Sequence, residues 1–170
     1  LPDLPQPEWG FVSQLESPLH ERPPFHWQRR AASADEVSLG GGAHLDERFP
    51  DPNSLLYTAY ADFRQFLRVG GIEGGAYAIT CMPASFSVPE AYTVDVGADE
   101  CRILAGDTEG IRRGLVFVEN LMLKSGGPLL PLGTIVREPV IRTRISRCFF
   151  GPINRPPANR DELADDVDYY

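Results

Sequence analysis

The amino-acid sequence predicts an α+β fold, in which a small antiparallel or mixed sheet packs against helices. Two segments repeat apolar residues at the helical period, in residues 54–71 and again after Asp107. Between them, residues 92–96 alternate apolar and polar side chains, which is the period of a half-buried strand. The 170 residues suffice for one domain with a sizeable core, since a chain of this length buries roughly 70% of its unfolded surface.

The first 52 residues are rich in proline and show little regular pattern. The segment "FHWQRRAA", residues 25–32, is the one candidate for a short strand there. The segment "GGGAHLDERFPDPN", residues 40–53, combines glycine, proline and polar side chains and predicts a loop. Residues 1–52 are therefore interpreted as an N-terminal extension.

The first predicted helix covers "SLLYTAYADFRQFLRVGG", residues 54–71. Asn53 or Ser54 is the candidate N-cap, and Gly70 and Gly71 end the helix. One apolar face carries Leu56, Tyr60, Phe63 and Leu67. The following "AYAITCM", residues 76–82, predicts a strand.

The clearest pattern in the chain runs from Tyr92 to Met122. "YTVDV" predicts a strand, "GADE" a turn, and "CRILA" a strand that returns antiparallel. Asp107 or Thr108 caps the next helix, and Glu109 in its first turn suits the helix dipole. The buried stripe of this helix is predicted to consist of Ile111, Leu115, Val118 and Met122.

Two glycines lie one turn apart in this second helix, at Gly110 and Gly114. Because glycine costs a helix about 1 kcal/mol relative to alanine, the pair predicts a close approach of the helix to the sheet. After "KSGG" ends the helix, "LPLGTIVREP" (residues 130–139) and "VIRTRISRCFF" (residues 140–150) predict two further strands.

The composition argues against several classes of protein. Acidic residues outnumber basic ones 24 to 16, and the resulting charge of −8 disfavours nucleic acid or an anionic membrane as a partner. No apolar run approaches the length of a membrane span, and "LPDLPQPEW" lacks the features of a signal peptide. Cys81, Cys101 and Cys148 are too few and too widely spaced for a disulfide framework or a CxxC site, and reduced thiols favour the cytoplasm unless a signal was removed.

No metal or cofactor site is predicted. His20, Glu21 and His26 resemble a zinc motif in composition, but the histidines are six residues apart and two prolines between them forbid the helix that such a motif requires. His44 lies near Asp46 and Glu47 in a short polar loop, where solvation is expected. The glycine-rich "AGDTEG" would place two carboxylates against a phosphate, so it predicts a turn and a helix cap instead.

A catalytic carboxylate pair is not apparent either. The acids of the central region each have an ordinary place on a strand, in a turn or at a cap: Asp95, Asp99, Glu100 and Asp107. The segment 137–160 is different, because it carries six arginines against the single acid Glu138. These arginines indicate either an exposed edge strand paired with the acidic tail, or a polar substrate held by guanidinium groups.

The order of these motifs resembles the region before the catalytic barrel in family 20 glycoside hydrolases, the β-hexosaminidases and chitobiases. The resemblance covers Tyr77 to Phe150. The matching positions are Ala105-Gly106-Asp107, Gly110, Gly114-Leu115, Leu130-Pro131, Glu138-Pro139 and Arg144. In that family this region is a non-catalytic α/β domain, with a sheet on one side and helices packed on one face of it, and it leads into the first strand of a (β/α)8 barrel.

The sequence pattern and the resemblance together predict three segments with different roles. Residues 1–52 would be the extension, residues 53–139 the accessory α/β domain, and residues 140–170 the first strand and following loop of an incomplete (β/α)8 domain. The chain would belong to an enzyme that hydrolyses O-glycosyl bonds of a carbohydrate, with no catalytic residue within residues 1–170. Its partner would be the rest of the barrel, in the same or a companion chain, and Arg144 would bind sugar hydroxyls.

Two other interpretations remain open on the sequence alone. In the first, the chain is a stand-alone α/β module that binds carbohydrate or protein without catalysis. In the second, it is a structural interaction domain without a ligand. The proline-rich tail after residue 150 has no apolar stripe able to close a core, which favours the segment of a glycosidase over both alternatives.

Overall fold

A computed structural model describes residues 22, 25–28 and 30–140, and this part of the chain contains two helices and seven strands. The helices are α1 (Tyr57–Val69) and α2 (Thr108–Ser125). The strands are β1 (Glu36–Ser38), β2 (Ala43–Glu47), β3 (Tyr77–Pro83), β4 (Tyr92–Val96), β5 (Glu100–Ala105), β6 (Leu129–Pro131) and β7 (Gly133–Arg137). The predicted α+β class is confirmed.

Five of the strands form one mixed sheet in the order β2-β3-β5-β4-β7. The strands β2, β3 and β5 run parallel to one another, whereas β4 pairs antiparallel with both β5 and β7. The predicted antiparallel hairpin of β4 and β5 is therefore confirmed. The remaining strands β1 and β6 form a separate antiparallel pair.

The core lies between the helices and one face of this sheet. Alternate positions of the central strands are buried there, among them Ile79, Val94, Cys101 and Ile103. The predicted stripe of α2 is confirmed, because Ile111, Leu115, Val118 and Met122 are all buried. The buried residues of α1 are Tyr60, Phe63, Phe66 and Leu67, so the predicted stripe is correct and Phe66 widens it.

The predicted close approach of α2 to the sheet is also confirmed. A Cβ atom placed on Gly114 would overlap Cγ2 of Ile103 on β5. A Cβ atom on Gly110 would lie 2.8 Å from both Cβ of Ala105 and the carbonyl oxygen of Ala91. Glycine at these two positions therefore sets the distance between α2 and the sheet.

Asp107 is the N-cap of α2, as the sequence predicts, and it has a second role. Its Oδ1 accepts a hydrogen bond from the Gly110 N–H at 2.7 Å, and its Oδ2 accepts one from the Glu90 N–H at 2.7 Å. Glu90 has a positive φ of 64°, a conformation that a non-glycine residue adopts rarely. One carboxylate thus caps the helix and holds the loop before β4.

Asp107→Ala is expected to lower the free energy of unfolding by about 1–2 kcal/mol, because both N–H groups lose their acceptor. Urea denaturation of the variant and the parent measures the difference. Asp107→Asn, which keeps one acceptor oxygen, should lose less. Equal stability of the alanine variant and the parent would show that the cap contributes nothing.

The predicted N-cap of α1 is wrong. The helix begins at Tyr57, and its N-cap Leu56 makes no side-chain capping hydrogen bond. Instead, Asp51 accepts hydrogen bonds from the Leu55 N–H at 2.9 Å and from the Leu56 N–H at 2.7 Å. The carboxylate that accepts hydrogen bonds from the N–H groups before this helix thus belongs to a residue that precedes both candidate caps, Asn53 and Ser54.

The strand predictions need three corrections. Residues 40–53 were predicted as a loop, but Ala43–Glu47 form β2, because parallel pairing with β3 outweighs the polar composition of "AHLDE". A short strand was predicted in residues 25–32, but the described residues of this segment, 25–28 and 30–32, form no strand. The single strand predicted in residues 130–139 is two strands of different sheets, β6 and β7, separated where Gly133 adopts a φ of 116°. The predicted strand "VIRTRISRCFF" lies outside the described residues beyond Val140.

Candidate functional site

The two faces of the five-stranded sheet differ in chemistry. Side chains on the face away from the helices form a polar row across neighbouring strands, which consists of Asp46, Thr80, Arg102, Asp95 and Thr134. The next row is more apolar and consists of Met82, Leu104, Thr93 and Val136. This face therefore carries Asp95, one of the acids considered above for a catalytic carboxylate pair.

The carboxylates of the polar row are held in ion pairs. Asp95 accepts hydrogen bonds from Thr134 Oγ1 at 2.7 Å and from the Arg102 guanidinium. The hydrogen bond from Thr134, followed by that from Arg102, lowers the pKa of Asp95. Glu100 lies 3.5 Å from Nε of the same Arg102. A general acid requires a raised pKa, so Asp95 is suited to a structural ion pair and not to proton donation.

The other two candidate acids also have structural places. Asp107 caps α2, as described above. Asp99 is exposed in the turn between β4 and β5. The structure therefore brings Asp95 and Glu100 together around Arg102, and it leaves Asp107 at a helix end with a different role.

The described cysteines and histidines do not form a reactive or metal-binding cluster. Burial raises the pKa of the Cys101 thiol to about 12 and raises the pKa of Cys81 as well, so neither provides a thiolate nucleophile. Nδ1 of His44 lies 2.8 Å from the carbonyl oxygen of Gly75. Within residues 22, 25–28 and 30–140, no three histidine, cysteine or acidic side chains are placed to hold a metal ion. His20 and Glu21 lie outside the described residues.

The site residue implied by the resemblance, Arg144, also lies outside the described residues. Of the predicted arginine cluster, Arg137 is described, and its guanidinium lies over the ring of Phe117 with 5.0 Å from Cζ to the ring centroid. Arg137 thus packs against α2 at the end of β7. This contact is a cation–π interaction within the fold.

The most unusual charged group in the described chain is Glu119 on α2. Its side chain is only 8% exposed, and its Oε2 accepts a hydrogen bond from Nη2 of Arg22 at 2.8 Å. Burial raises the pKa of Glu119 to about 7, and the pairing with Arg22 offsets part of that rise. The same guanidinium binds both carboxylate oxygens of Asp62 on α1, at 2.6 and 2.8 Å.

The sequence patterns did not predict this site. One signal was present, because Glu119 directly follows Val118 of the apolar stripe, and an acid beside such a stripe predicts a buried partner. The partner Arg22 precedes Glu119 by 97 residues and lies in a segment without any periodic pattern. No local rule connects the two positions.

An open cavity of about 1070 Å³ lies beside this N-terminal segment. Its lining combines polar and aromatic side chains with backbone, including His26, Trp27, Arg30, Ser38 and Gly71. The cavity has the components to bind a polar ligand, and the described residues of its lining include no carboxylate that could act in acid–base catalysis.

The helices also carry exposed apolar side chains. On the helices these are Tyr57 (63% exposed), Val116 (49%) and Leu123 (47%), and Leu55 (54%) lies just before α1. Arg112 on α2 donates a hydrogen bond to the carbonyl oxygen of Leu55 at 2.8 Å, so the N-terminal ends of the two helices lie side by side. Neither helix in the described part is long and apolar enough to cross a membrane.

No protein-family model matches the chain, and no curated protein matches it. Several solved structures do. A mutant β-hexosaminidase from Streptomyces plicatus in complex with GlcNAc matches with a TM-score of 0.47 and 18% identity, over 64% of this chain and 24% of that one. The GH20 β-N-acetylhexosaminidase from Streptomyces coelicolor matches with a TM-score of 0.44 and 21% identity, over 62% and 23%.

A chitobiase from Flavobacterium johnsoniae matches with a TM-score of 0.44 and 17% identity, over 67% of this chain and 20% of that one. The chain thus spans less than a quarter of the length of each of these three proteins. All three are β-hexosaminidases or chitobiases.

Proposed function

We propose that this chain is the N-terminal accessory segment of a glycoside hydrolase that acts on carbohydrate. In this proposal it supports a catalytic barrel formed by other residues, in the same or a companion chain. Residues 53–139 form the accessory domain, to which the first 52 residues add β1 and β2. Residues 140–170 contribute the first barrel strand and the loop that follows it.

One observation carries the proposal: three of the residues behind the resemblance, Asp107, Gly110 and Gly114, have structural roles here. Asp107 caps α2, and Gly110 and Gly114 let that helix approach the sheet. Such a motif is expected of a domain whose task is to hold its shape. The exposed apolar side chains on α1 and α2 supply a surface that another domain could cover.

The polypeptide of 170 residues is expected to show no glycosidase activity. Its candidate acids are engaged in ion pairs, a helix cap or an exposed turn, and none is placed as a proton donor opposite a second carboxylate. The assay uses aryl glycosides of N-acetylglucosamine, glucuronic acid and galactose. Turnover that survives rigorous purification and disappears in Asp95→Asn or Glu100→Gln would refute the proposal.

The resemblance also predicts a role for Arg144 in the complete enzyme. On a strand, Arg142 and Arg144 share one face and Arg147 lies on the other. If this strand opens the barrel, Arg144 binds sugar hydroxyls at the active-site end. Arg144→Ala is then expected to lower kcat/KM of the complete protein about tenfold or more with little change in Tm.

Arg147→Ala is the matched control for this experiment, because it removes the same charge from the opposite face. It should leave kcat/KM near the parent value. A lowered Tm beside unchanged kinetics in Arg144→Ala would instead identify Arg144 as a structural residue in a salt bridge.

A stand-alone binding module is the second candidate function, and the open cavity beside Trp27 favours it. Calorimetric titration of the 170-residue chain with N-acetylglucosamine oligomers separates the two. Saturable binding that Trp27→Ala abolishes would support the module, whereas no binding leaves the accessory role.

A further inference from the structure

The N-terminal segment before β1 lies across both helices without forming a helix or a strand. Of its described residues, Arg22, 25–28 and 30 are here called the strap. Their side chains and backbone reach α1, α2 and the glycines that follow each helix. The strap is held by three separate sets of contacts, each with a defined chemical preference.

The first set binds the guanidinium of Arg22. Asp62 of α1 accepts from Nε and Nη2 in a bidentate arrangement, and Glu119 of α2 accepts from Nη2. The cation also lies over the ring of Phe66, 5.4 Å from its centroid. Two carboxylates from different helices and one aromatic face form a site that selects arginine over lysine, because only the planar guanidinium can bind in this way.

The second set binds two aromatic side chains. Phe25 stacks on Phe66 with a centroid distance of 5.4 Å and an interplanar angle of 23°. Trp27 meets the same ring edge-on at 5.9 Å. Phe66 therefore contacts three side chains of the strap and is fully buried beneath them.

The third set uses the C-terminal ends of the two helices. Trp27 Nε1 donates to the carbonyl oxygen of Gly70 at 2.6 Å, and the Gln28 N–H donates to that of Gly126 at 2.6 Å. Arg30 Nε donates to the carbonyl oxygen of Ser125 at 3.0 Å. These carbonyl groups belong to helix ends that lack partners within the helix and carry partial negative charge, so they favour a basic segment.

The glycines at the two helix ends make room for the strap. A Cβ atom on Gly70 would lie 2.8 Å from Cζ2 of Trp27, and one on Gly126 would lie 3.1 Å from Oε1 of Gln28. The φ of Gly70 is −72°, which any residue adopts, so the helix end itself does not require glycine there. The absence of a side chain at Gly70 serves the contact with Trp27.

We propose that the surface between α1 and α2 is a groove for an arginine-containing linear segment, and that the strap is its detachable occupant. Residues 22–30 carry three arginines and no acid in a chain of net charge −8, so the strap and the groove are complementary in charge. The sequence places two prolines between Arg22 and Phe25, which restrict the free segment and reduce the entropy lost on binding.

The nature of the contacts supports detachment. The strap pairs with no strand, and a segment held by side-chain contacts and three hydrogen bonds to helix-end carbonyl groups opens at a lower free energy than the core. Its opening would uncover Phe66, Asp62 and Glu119 for a segment of the same chemistry. The strap then competes with an arginine-containing segment of another molecule for the same groove.

The test uses the full 170-residue chain and a fluorescein-labelled peptide of residues 21–30. In the chain variant Arg22→Ala/Phe25→Ala the strap loses two anchors while the groove is intact. By anisotropy, the peptide is expected to bind this variant at least about tenfold more tightly than the parent, because the parent groove is mostly occupied. Adding Asp62→Asn and Glu119→Gln to the variant should abolish the gain.

The matched controls address the two sides of the contact. A peptide with Arg22→Ala should lose binding to the open variant. Adding Gly70→Ala to that variant should also weaken binding of the peptide, because the new Cβ meets Trp27, whereas Gly41→Ala, which has open space around it, should not. Equal binding to parent and variant, or binding indifferent to the peptide's arginine, overturns the proposal.

Hydrogen exchange of the parent chain gives an independent measurement. The Gln28 amide is expected to exchange through a local opening, faster than the amides of β3 and β5. Exchange of Gln28 only through global unfolding would show that the strap is part of the core and overturn the proposal. Loss of the helical circular dichroism signal in Arg22→Ala/Phe25→Ala would also show that the strap is part of the core, and it would overturn the proposal.

Discussion

Gly114→Leu is expected to lower the free energy of unfolding by roughly 1–3 kcal/mol, although leucine is the better helix former by most of 1 kcal/mol. The reason is steric, because a Cβ atom at this position already overlaps Cγ2 of Ile103 in the centre of the sheet. The remaining leucine atoms would force α2 away from β5 and open the packing of the helix stripe. Urea denaturation of parent and variant measures the loss.

The control for this experiment is a substitution on the same helix that meets solvent. Val116→Leu adds apolar volume at an exposed position, and it should change the stability by less than about 0.5 kcal/mol. Gly114→Ala should fall between the two, since the overlap with Ile103 begins at Cβ. If Gly114→Leu is as stable as the parent, α2 is oriented differently from the structure described here.

The sequence predicted best where local pattern and tertiary packing agree. The segment from Tyr92 to Ser125 was predicted with its strands, turn, cap, stripe and glycine contacts, and the structure confirms each of these features. The alternation of β4 matches one buried face, and the stripe of α2 packs on that face. The strand period and the helix period therefore predict the same packing of α2 on the sheet.

The failures occurred where distant parts of the chain decide the local structure. Ala43–Glu47 is polar and follows three glycines, yet it forms β2, because β3 provides a parallel partner along its whole length. The cap of α1 comes from Asp51, which binds backbone groups in the turn before the helix. Neither effect can be obtained from composition, since both depend on which segments meet.

The candidate sites show the same limit more strongly. The acids considered in the sequence lie in ion pairs, at a helix cap or in an exposed turn, whereas the buried acid Glu119 obtains its partner Arg22 from a segment with no recognisable pattern. Trp27 and Phe25 likewise join Phe66 across about 40 residues of sequence. A surface assembled from such distant positions becomes visible only once the helices are placed.

Glu119 is expected to make the stability of the protein fall as the pH rises from about 4.5 to about 7. Its pKa is about 7 in the folded chain against 4.5 in the unfolded chain, so the folded state binds the proton more tightly. The stabilisation is complete below pH 4.5 and is lost as the pH rises through 7. At 1.36 kcal/mol per pKa unit, the total change is on the order of 3 kcal/mol.

Glu119→Gln should remove this dependence, because the amide stays neutral at every pH. Other described carboxylates with shifted pKa values act elsewhere, since those of Asp95, Glu73 and Glu36 are lowered and their effects on stability appear only as the pH falls below the usual carboxylate range. The variant should therefore match the parent near pH 4.5 and exceed it at pH 8. Glu109→Gln, a change of a more exposed acid on the same helix, should keep the slope of the parent.

Urea unfolding at half-unit steps between pH 4.5 and 8 measures the three proteins. The desolvation of Glu119 outweighs its pairing with Arg22 if the parent loses stability with rising pH and Glu119→Gln does not. A parent whose stability rises over this range would mean that the ion pair with Arg22 and Asp62 dominates instead, so that ionised Glu119 strengthens the fold. Identical slopes for parent and Glu119→Gln would place the titrating group elsewhere in the chain.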